Sequence, residues 1–167
     1  ERVFWIGAFD PDLRSFDIIL KTANGTSYNA YLVLGSNGVA VVDTVKEGFA
    51  DTFFARLESV ARYDEISVIV LNHLEPDHTG ALPELMRRAP QAQLFISQKA
   101  QAMLKGLLKQ DALNFTPVLT GDSIALGDRS LHFLHTPYLH WPDTQCTYLP
   151  EEKILFSGDV FGCHFCD

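Results

Sequence analysis

Residues His73-Leu74-Glu75-Pro76-Asp77-His78 put four metal-type ligands into six positions, directly after the apolar run Ile66 to Leu71. A buried strand does not readily end in so many charged or titratable groups unless a positive charge compensates them. One divalent ion, or two, would do so. Two imidazoles and two carboxylates on one tight loop are too many for a single tetrahedral ion that also keeps an open position. The spacing therefore points to a dinuclear site.

Two further ligand types fall just past strand ends, as His73 does. His140, in His140-Trp141-Pro142-Asp143, follows a strand expected over Ser130 to Thr136. Asp159, in Ser157-Gly158-Asp159, follows one expected over Lys153 to Ser157. A glycine at 158 lets the backbone come close to a buried ion. An aspartate there could bridge two metals, because its carboxylate has two oxygens on a short stem.

The elements that must hold these residues are legible from periodicity. Val3 to Ala8, Phe16 to Leu20 and Ser27 to Leu34 read as strands, and Gly35-Ser36-Asn37-Gly38 joins Tyr31–Leu34 to Val39–Val42 as a hairpin. Phe49, Phe53, Leu57 and Val60 recur at helical spacing, which predicts an amphipathic helix over Gly48 to Arg62. Ile66 to Leu71, apolar except at Ser67, is the strand that delivers the ligand loop. Helices over Thr79 to Arg88 and Lys99 to Lys109 flank a strand at Gln93 to Ser97. A strand at Cys146 to Leu149 turns through Pro150-Glu151-Glu152 into the one that starts at Lys153. Strand-rich halves interleaved with helices predict a single α/β layered sandwich over residues 1–167, with the site at the strand ends.

Composition narrows the partners. A hydrophobic fraction of 47% supports one sizeable core. The net charge is −8 and there is no basic run, which argues against nucleic acid and anionic membrane surfaces. No apolar run approaches the roughly 18 to 20 residues of a membrane span. Glu1-Arg2-Val3-Phe4-Trp5 lacks the basic-then-apolar design of a signal peptide, and with no Met at the start we expect residues ahead of it. Three cysteines, an odd number, fit a reduced, cytoplasmic setting better than a disulfide framework.

The series His73-x-Glu75-x-Asp77-His78, then His140, then Asp159 resembles the flavodiiron proteins, which have the metallo-β-lactamase-like fold. Ser27-Tyr28-Asn29-Ala30-Tyr31-Leu32, Trp141-Pro142-Asp143-Thr144 and Leu155-Phe156-Ser157-Gly158-Asp159 are similar to stretches of that family as well. The resemblance spans essentially the whole chain. Asp77-His78 alone would indicate only the superfamily; Glu75 discriminates, since zinc hydrolases of this fold usually carry histidine there.

The resemblance implies an αββα sandwich, incomplete at its C-terminal side, and a centre of two iron ions joined by an oxo or hydroxo bridge. His73, Glu75 and His140 would hold one iron, Asp77 and His78 the other, and Asp159 would bridge them. In the family the second iron also takes a histidine far downstream of the aspartate, which this chain lacks; His164 lies too near Asp159 to replace it. FMN would sit on a flavodoxin-like domain outside this chain, which therefore reads as an N-terminal fragment. The implied function is reduction of O2 to water, NO to N2O, or both, in the cytoplasm. Electrons would come from FMN across a head-to-tail homodimer, or from a rubredoxin-type donor.

The residues give this reading independent support. Carboxylates and imidazoles suit iron, and replacing an imidazole by a carboxylate moves a site away from zinc. Three carboxylates against two ferrous ions leave a single positive charge, and two ferric ions with an added oxo bridge leave the same. Oxidation then need not change the charge of a buried site. Two other readings stay open: a non-catalytic diiron oxygen sensor, and a zinc-dependent metallo-hydrolase, which Glu75 opposes.

Other candidates have plainer alternatives. Asp43 either orients the ligand loop or caps a strand end. His132 and His135 lie an odd number apart on one strand, so they face opposite sides and are expected to be structural. Cys163 and Cys166 lack the second pair that a metal site would need and are expected to be incidental. Tyr28, Tyr138 and Trp141 either line the pocket or pack in the core, and core packing is the expectation.

Overall fold

The computed structural model describes residues 2–16, 18–107 and 115–166. The expected first strand divides at Ile6-Gly7 into β1 (Val3–Trp5) and β2 (Ala8–Asp10). Gly7 sits where a Cβ would run into the Tyr28 carbonyl and the Trp5 ring, so only glycine lets the chain change sheets there. Phe16 to Leu20 is not one strand, which corrects the sequence expectation. Two short strands, β3 (Ser15–Phe16) and β4 (Leu20–Lys21), pair around a tip where Ile18 takes a positive φ of 69°. Ile18 and Ile19 point into solvent, so their β propensity finds nothing to pack against. The expected strand over Ser27 to Leu34 also divides, into β5 (Thr26–Tyr28) and β6 (Tyr31–Gly35). The expected hairpin then leads to β7 (Gly38–Val42), in register from Tyr31 opposite Val42 to Gly35 opposite Gly38.

A 3-10 turn over Glu47–Phe49 leads into α1 (Ala50–Glu58), shorter than the periodicity suggested. The strand β8 (Ile66–Val70) carries the ligand segment, and α2 (Pro76–Thr79) begins inside it. Pro76 in the first helical turn explains that early start, because its missing N–H would be unpaired there in any case. Asp77 and His78 therefore lie on a helical turn rather than a loop. After a break at Gly80 and Ala81 come α3 (Leu82–Arg88), β9 (Gln93–Ser97) and α4 (Ala100–Leu107). The expected end of that last helix, Leu108 and Lys109, lies outside the described residues.

Two strands went unread in the sequence: β10 (Phe115–Val118) and β11 (Ser123–Ala125). Pro117 obscured β10, but that strand is at the edge of its sheet, where a missing N–H is tolerated. The chain continues as β12 (Ser130–His135), β13 (Gln145–Leu149) and β14 (Ile154–Phe156).

The large sheet has the order β1-β6-β7-β8-β9-β10, and the small one β11-β12-β13-β14. One face of the large sheet packs against helices, with Phe53, Leu57, Leu82, Leu85 and Leu104 meeting Leu32, Val41, Ile69 and Ile96. The other face meets the small sheet, where Val42, Val68, Val70 and Phe95 pack on Leu131, Phe133, Leu149 and Phe156. Each such fully buried side chain contributes about 1.5–3 kcal/mol. β8 is covered on both faces and parallel to both neighbours, which is why it is apolar at every position but Ser67. Helices, large sheet and small sheet are thus stacked in layers, with the ends of β8, β12 and β14 converging at one edge of the two-sheet interface. Among the described residues no helix covers the outer face of the small sheet.

Candidate metal centre

All six candidate side chains converge. Donor atoms of His73, Glu75, His140 and Asp159 lie within 4.8 Å of one another, and so do those of His73, Asp77 and His78. His73 belongs to both groups. Its ring stands 4.1 Å, centroid to centroid, from that of His78 and 5.1 Å from that of His140. Glu75 Oε2 lies 2.9 Å from His140 Nε2 and 3.4 Å from His73 Nε2. Asp159 faces both ways: Oδ1 is 3.1 Å from His78 Nε2, while Oδ2 is 3.5 Å from His140 Nε2 and 3.8 Å from His73 Nε2. His73, Glu75 and His78 are buried, whereas the side chains of His140 and Asp159 are 32% and 33% exposed. The group is therefore reached past His140 and Asp159, through a cavity of about 340 Å³ lined also by Asp77 and, from the N-terminal strands, by Leu20 and Thr26.

The local electrostatics fit a cation. His73 Nε2 and Asp77 Oδ1 are buried without a hydrogen-bond partner, the state expected of atoms arranged around an ion. Burial works to raise the Glu75 carboxyl, but the imidazoles of His73 and His140 outweigh it and hold that group below its ordinary value. Burial likewise opposes ionisation of Asp159, yet His78, helped by His73 and His140, brings it down to about 2. Burial raises the Asp77 carboxyl from its ordinary value. Burial also disfavours charge on His78, but Asp159 and Asp43 hold its pKa well above that of a free histidine.

Each side chain is fixed by the strand behind it. Asp43, just past β7 with φ of 59°, accepts the Asn72 N–H at 2.7 Å and has Oδ2 3.9 Å from His78 Nδ1. Asp43 thus contacts the ligand segment directly. The His78 carbonyl accepts both the N–H and the hydroxyl of Thr44, at 3.0 and 2.7 Å. Three residues here were not singled out from the sequence. Asn72 and Thr147 are buried and bonded to each other at 2.8 Å, and buried Asp143 accepts the Leu74 N–H at 2.9 Å. A buried-strand pattern that runs directly into a polar residue, as it does at Asn72, was the available signal.

The remaining candidates separate cleanly. Trp141 is half-buried beside the cluster rather than in the core, stacked on His140 at 6.4 Å and edge-on to His73 at 6.2 Å. Tyr28 is core, packed on Phe49 with its hydroxyl donating to Asp10. Tyr138 corrects the expectation of core packing: it is 71% exposed with φ of 64°, and Lys99 lies over its ring. His132 and His135 project from opposite faces of β12, away from the cluster; His132 bonds to Ser130. His164 lines the same cavity but stands outside both donor groups, with its ring on Phe16 and Nδ1 3.1 Å from the Thr26 hydroxyl. Cys163 and Cys166 are free thiols, and among the described residues neither joins a metal-type cluster. No helix among the described residues is long and apolar enough to cross a membrane.

Comparison with known proteins agrees with this geometry. Residues 26–166 match the family described as ODP family beta lactamase. A type A flavoprotein of Rhodobacter capsulatus is 65% identical over 167 residues, 99% of this chain and 38% of that protein. A nitric oxide reductase of Moorella thermoacetica is 41% identical over 165 residues, 98% of this chain and 41% of that one. The structure of rubredoxin oxygen:oxidoreductase from Desulfovibrio gigas superposes with a TM-score of 0.94 at 32% identity, covering 99% of this chain and 41% of that one. The chain spans about two fifths of the length of the curated relatives it matches. It belongs to the ODP beta-lactamase family and has the metallo-β-lactamase-like fold of the flavodiiron proteins.

Proposed function

We propose that this chain is the metal-holding domain of an oxidoreductase that reduces O2 to water, NO to N2O, or both, with electrons delivered by FMN. The observation that carries the reading is the posture of Asp159, whose two oxygens face different imidazoles across the cluster. In this reading His73, Glu75 and His140 hold one iron, Asp77 and His78 hold the other, and Asp159 touches both. A pair of ferrous ions held there would supply two electrons to a bound diatomic molecule. Glu75 supplies a hard anionic oxygen where an imidazole would favour zinc. Burial of His73, Glu75 and His78 keeps bulk water from the inner side, and the cavity beside His140 and Asp159 gives a small molecule its approach.

The names of two relatives support the choice of substrates, one being a nitric oxide reductase and the other a rubredoxin oxygen:oxidoreductase. The latter name also supports a rubredoxin-type donor. FMN would be held outside these residues, on a flavodoxin-like domain. Exposed Leu20, Leu139 and Phe161 lie on or next to residues lining the cavity, an apolar rim suited to docking a flavin-bearing surface in a head-to-tail homodimer. The test uses protein produced anaerobically with iron from its complete gene. Elemental analysis should give about two irons per chain, set by the charge of three carboxylates, and a reduced flavin donor should drive consumption of O2 or NO. One tightly held zinc, no iron and no gas consumption would overturn the proposal.

A further inference from the structure

Asn72 is buried just past β8, one residue ahead of His73, and all its polar atoms are bonded. Its backbone N–H donates to Asp43 Oδ1 at 2.7 Å, and its carbonyl accepts the Gln145 N–H at 2.8 Å. Its side-chain amide donates to Asp43 Oδ2 at 3.1 Å and to the Phe156 carbonyl at 3.2 Å, and accepts the Thr147 hydroxyl at 2.8 Å. Two acceptors on the nitrogen side and one hydroxyl on the oxygen side fix the orientation of the amide.

These partners come from both sheets. Asp43 and Asn72 lie just past β7 and β8 of the large sheet, whereas Gln145 and Thr147 lie on β13 and Phe156 ends β14 of the small one. Asp159 follows Phe156 by way of Gly158, which has φ of +54° and passes so close that an added Cβ would stand 3.4 Å from the Asn72 Cβ and 3.7 Å from His73 Nδ1. One side chain thus spans the seam between the segment carrying His73, Glu75, Asp77 and His78 and the segment carrying Asp159.

We propose that Asn72 is a positioning residue for the metal centre, setting the separation between Asp159 and the ligand segment and thereby the affinity for the second ion. The inference rests on the diiron reading above. If the seam loosens, the ion held by Asp77 and His78 suffers most, because Asp159 is its remaining ligand from this chain. The ion held by His73, Glu75 and His140 keeps three ligands of its own. No other side chain of similar size can replace the amide. A carboxylate at 72 would face the Asp43 carboxylate and the Phe156 carbonyl with no proton to give, and leucine would strand three buried polar groups.

The test is an anaerobic ferrous-iron titration of protein from the complete gene. It compares unmodified protein, Asn72→Ala, Thr147→Val and a core variant, Phe133→Leu, chosen for a similar fall in Tm. Electron paramagnetic resonance of the half-reduced state reports the coupling between the two irons. Asn72→Ala should bind the second iron roughly 10- to 100-fold more weakly, the range typical of losing a group that orients a ligand. The first iron should be nearly unaffected, and the coupling signal should weaken. Thr147→Val removes one bond of the set isosterically and should shift the second affinity in the same direction by less, and it carries the test if Asn72→Ala does not fold. Second-iron affinity unchanged in both variants, or reduced no more than in Phe133→Leu, would overturn the proposal while leaving the diiron reading intact. Fewer than two irons in the unmodified protein would overturn both.

Discussion

Glu75 is the side chain on which the choice of metal turns, so Glu75→His is the most informative single change. Donor atoms of His73, Glu75, His140 and Asp159 lie within 4.8 Å of one another, which places any cation among them within about 4 Å of the Glu75 carboxylate. At that separation and an effective dielectric of about 20, each unit of charge contributes about 4 kcal/mol of attraction. Part of this offsets the cost of burying the carboxylate. An imidazole returns a ligand atom without the charge. With about 1.4 kcal/mol per decade, ferrous affinity at that position should fall by roughly two to three decades. Zinc accepts nitrogen readily and should gain occupancy. The local backbone should survive, because the Glu75 carbonyl still accepts the His78 N–H at 2.9 Å and the Thr79 hydroxyl at 3.1 Å. The assay pairs the iron-to-zinc ratio of protein from mixed-metal medium with O2 or NO consumption under a reduced flavin donor, using Glu75→Gln to separate loss of charge from gain of nitrogen. Unchanged iron content with undiminished gas consumption in Glu75→His would refute the assignment.

Asp143→Ala strands the buried Leu74 N–H between His73 and Glu75, and should lower unfolding stability by about 1–3 kcal/mol in a denaturant titration, with Asp143→Asn recovering most of it. An unchanged midpoint would show that the Leu74 N–H finds another partner. At alkaline pH, burial and then Asp10 raise the Tyr28 phenol, while burial and then Asp43 raise that of Tyr31. A folded pKa above the unfolded one means a contribution that is whole below about pH 10 and lost as pH rises through the folded values. Ultraviolet titration of these two tyrosines should therefore coincide with loss of the circular dichroism signal, and their ionisation in still-folded protein would contradict the burial argument.

How much of this could be read in the sequence depends on how local each determinant is. The cluster at 73 to 78 announced itself because ligand types at short spacing directly follow a strand covered on both faces. His140 and Asp159 were legible because each follows a strand end. The roles of Asn72, Asp143 and Thr147 were not, since the bonds that define them join segments far apart in the chain, Thr147 with Asn72 and Leu74 with Asp143. The hairpin at 15 to 21 was misread because Phe16, Ile18, Ile19 and Leu20 have strand propensity, while the positive φ at Ile18 follows from tertiary placement. Tyr138 was misplaced for a related reason: aromatic character favours burial, but its left-handed backbone turns the side chain outward over Lys99.

The division of the cluster between two sheets explains why these particular polar residues are buried. His73, Glu75, Asp77 and His78 hang from β8 through a single helical turn, so their mutual spacing is fixed locally. His140 and Asp159 belong to the other sheet, and their distance to the first four depends on how the two sheets pack. Apolar contacts between Val68, Val70, Phe133 and Phe156 hold the sheets together but are non-directional and tolerate small slips. Hydrogen bonds from the Thr147 hydroxyl to Asn72, from Asn72 to the Phe156 carbonyl, and from Gln145 to the Leu71 carbonyl are directional and tolerate little. They lie at the end of the sandwich that carries the cluster, where a slip of an ångström would matter. Positional precision at the mouth of the site thus comes from buried polar bonds across the seam, while cohesion comes from the apolar layer behind them.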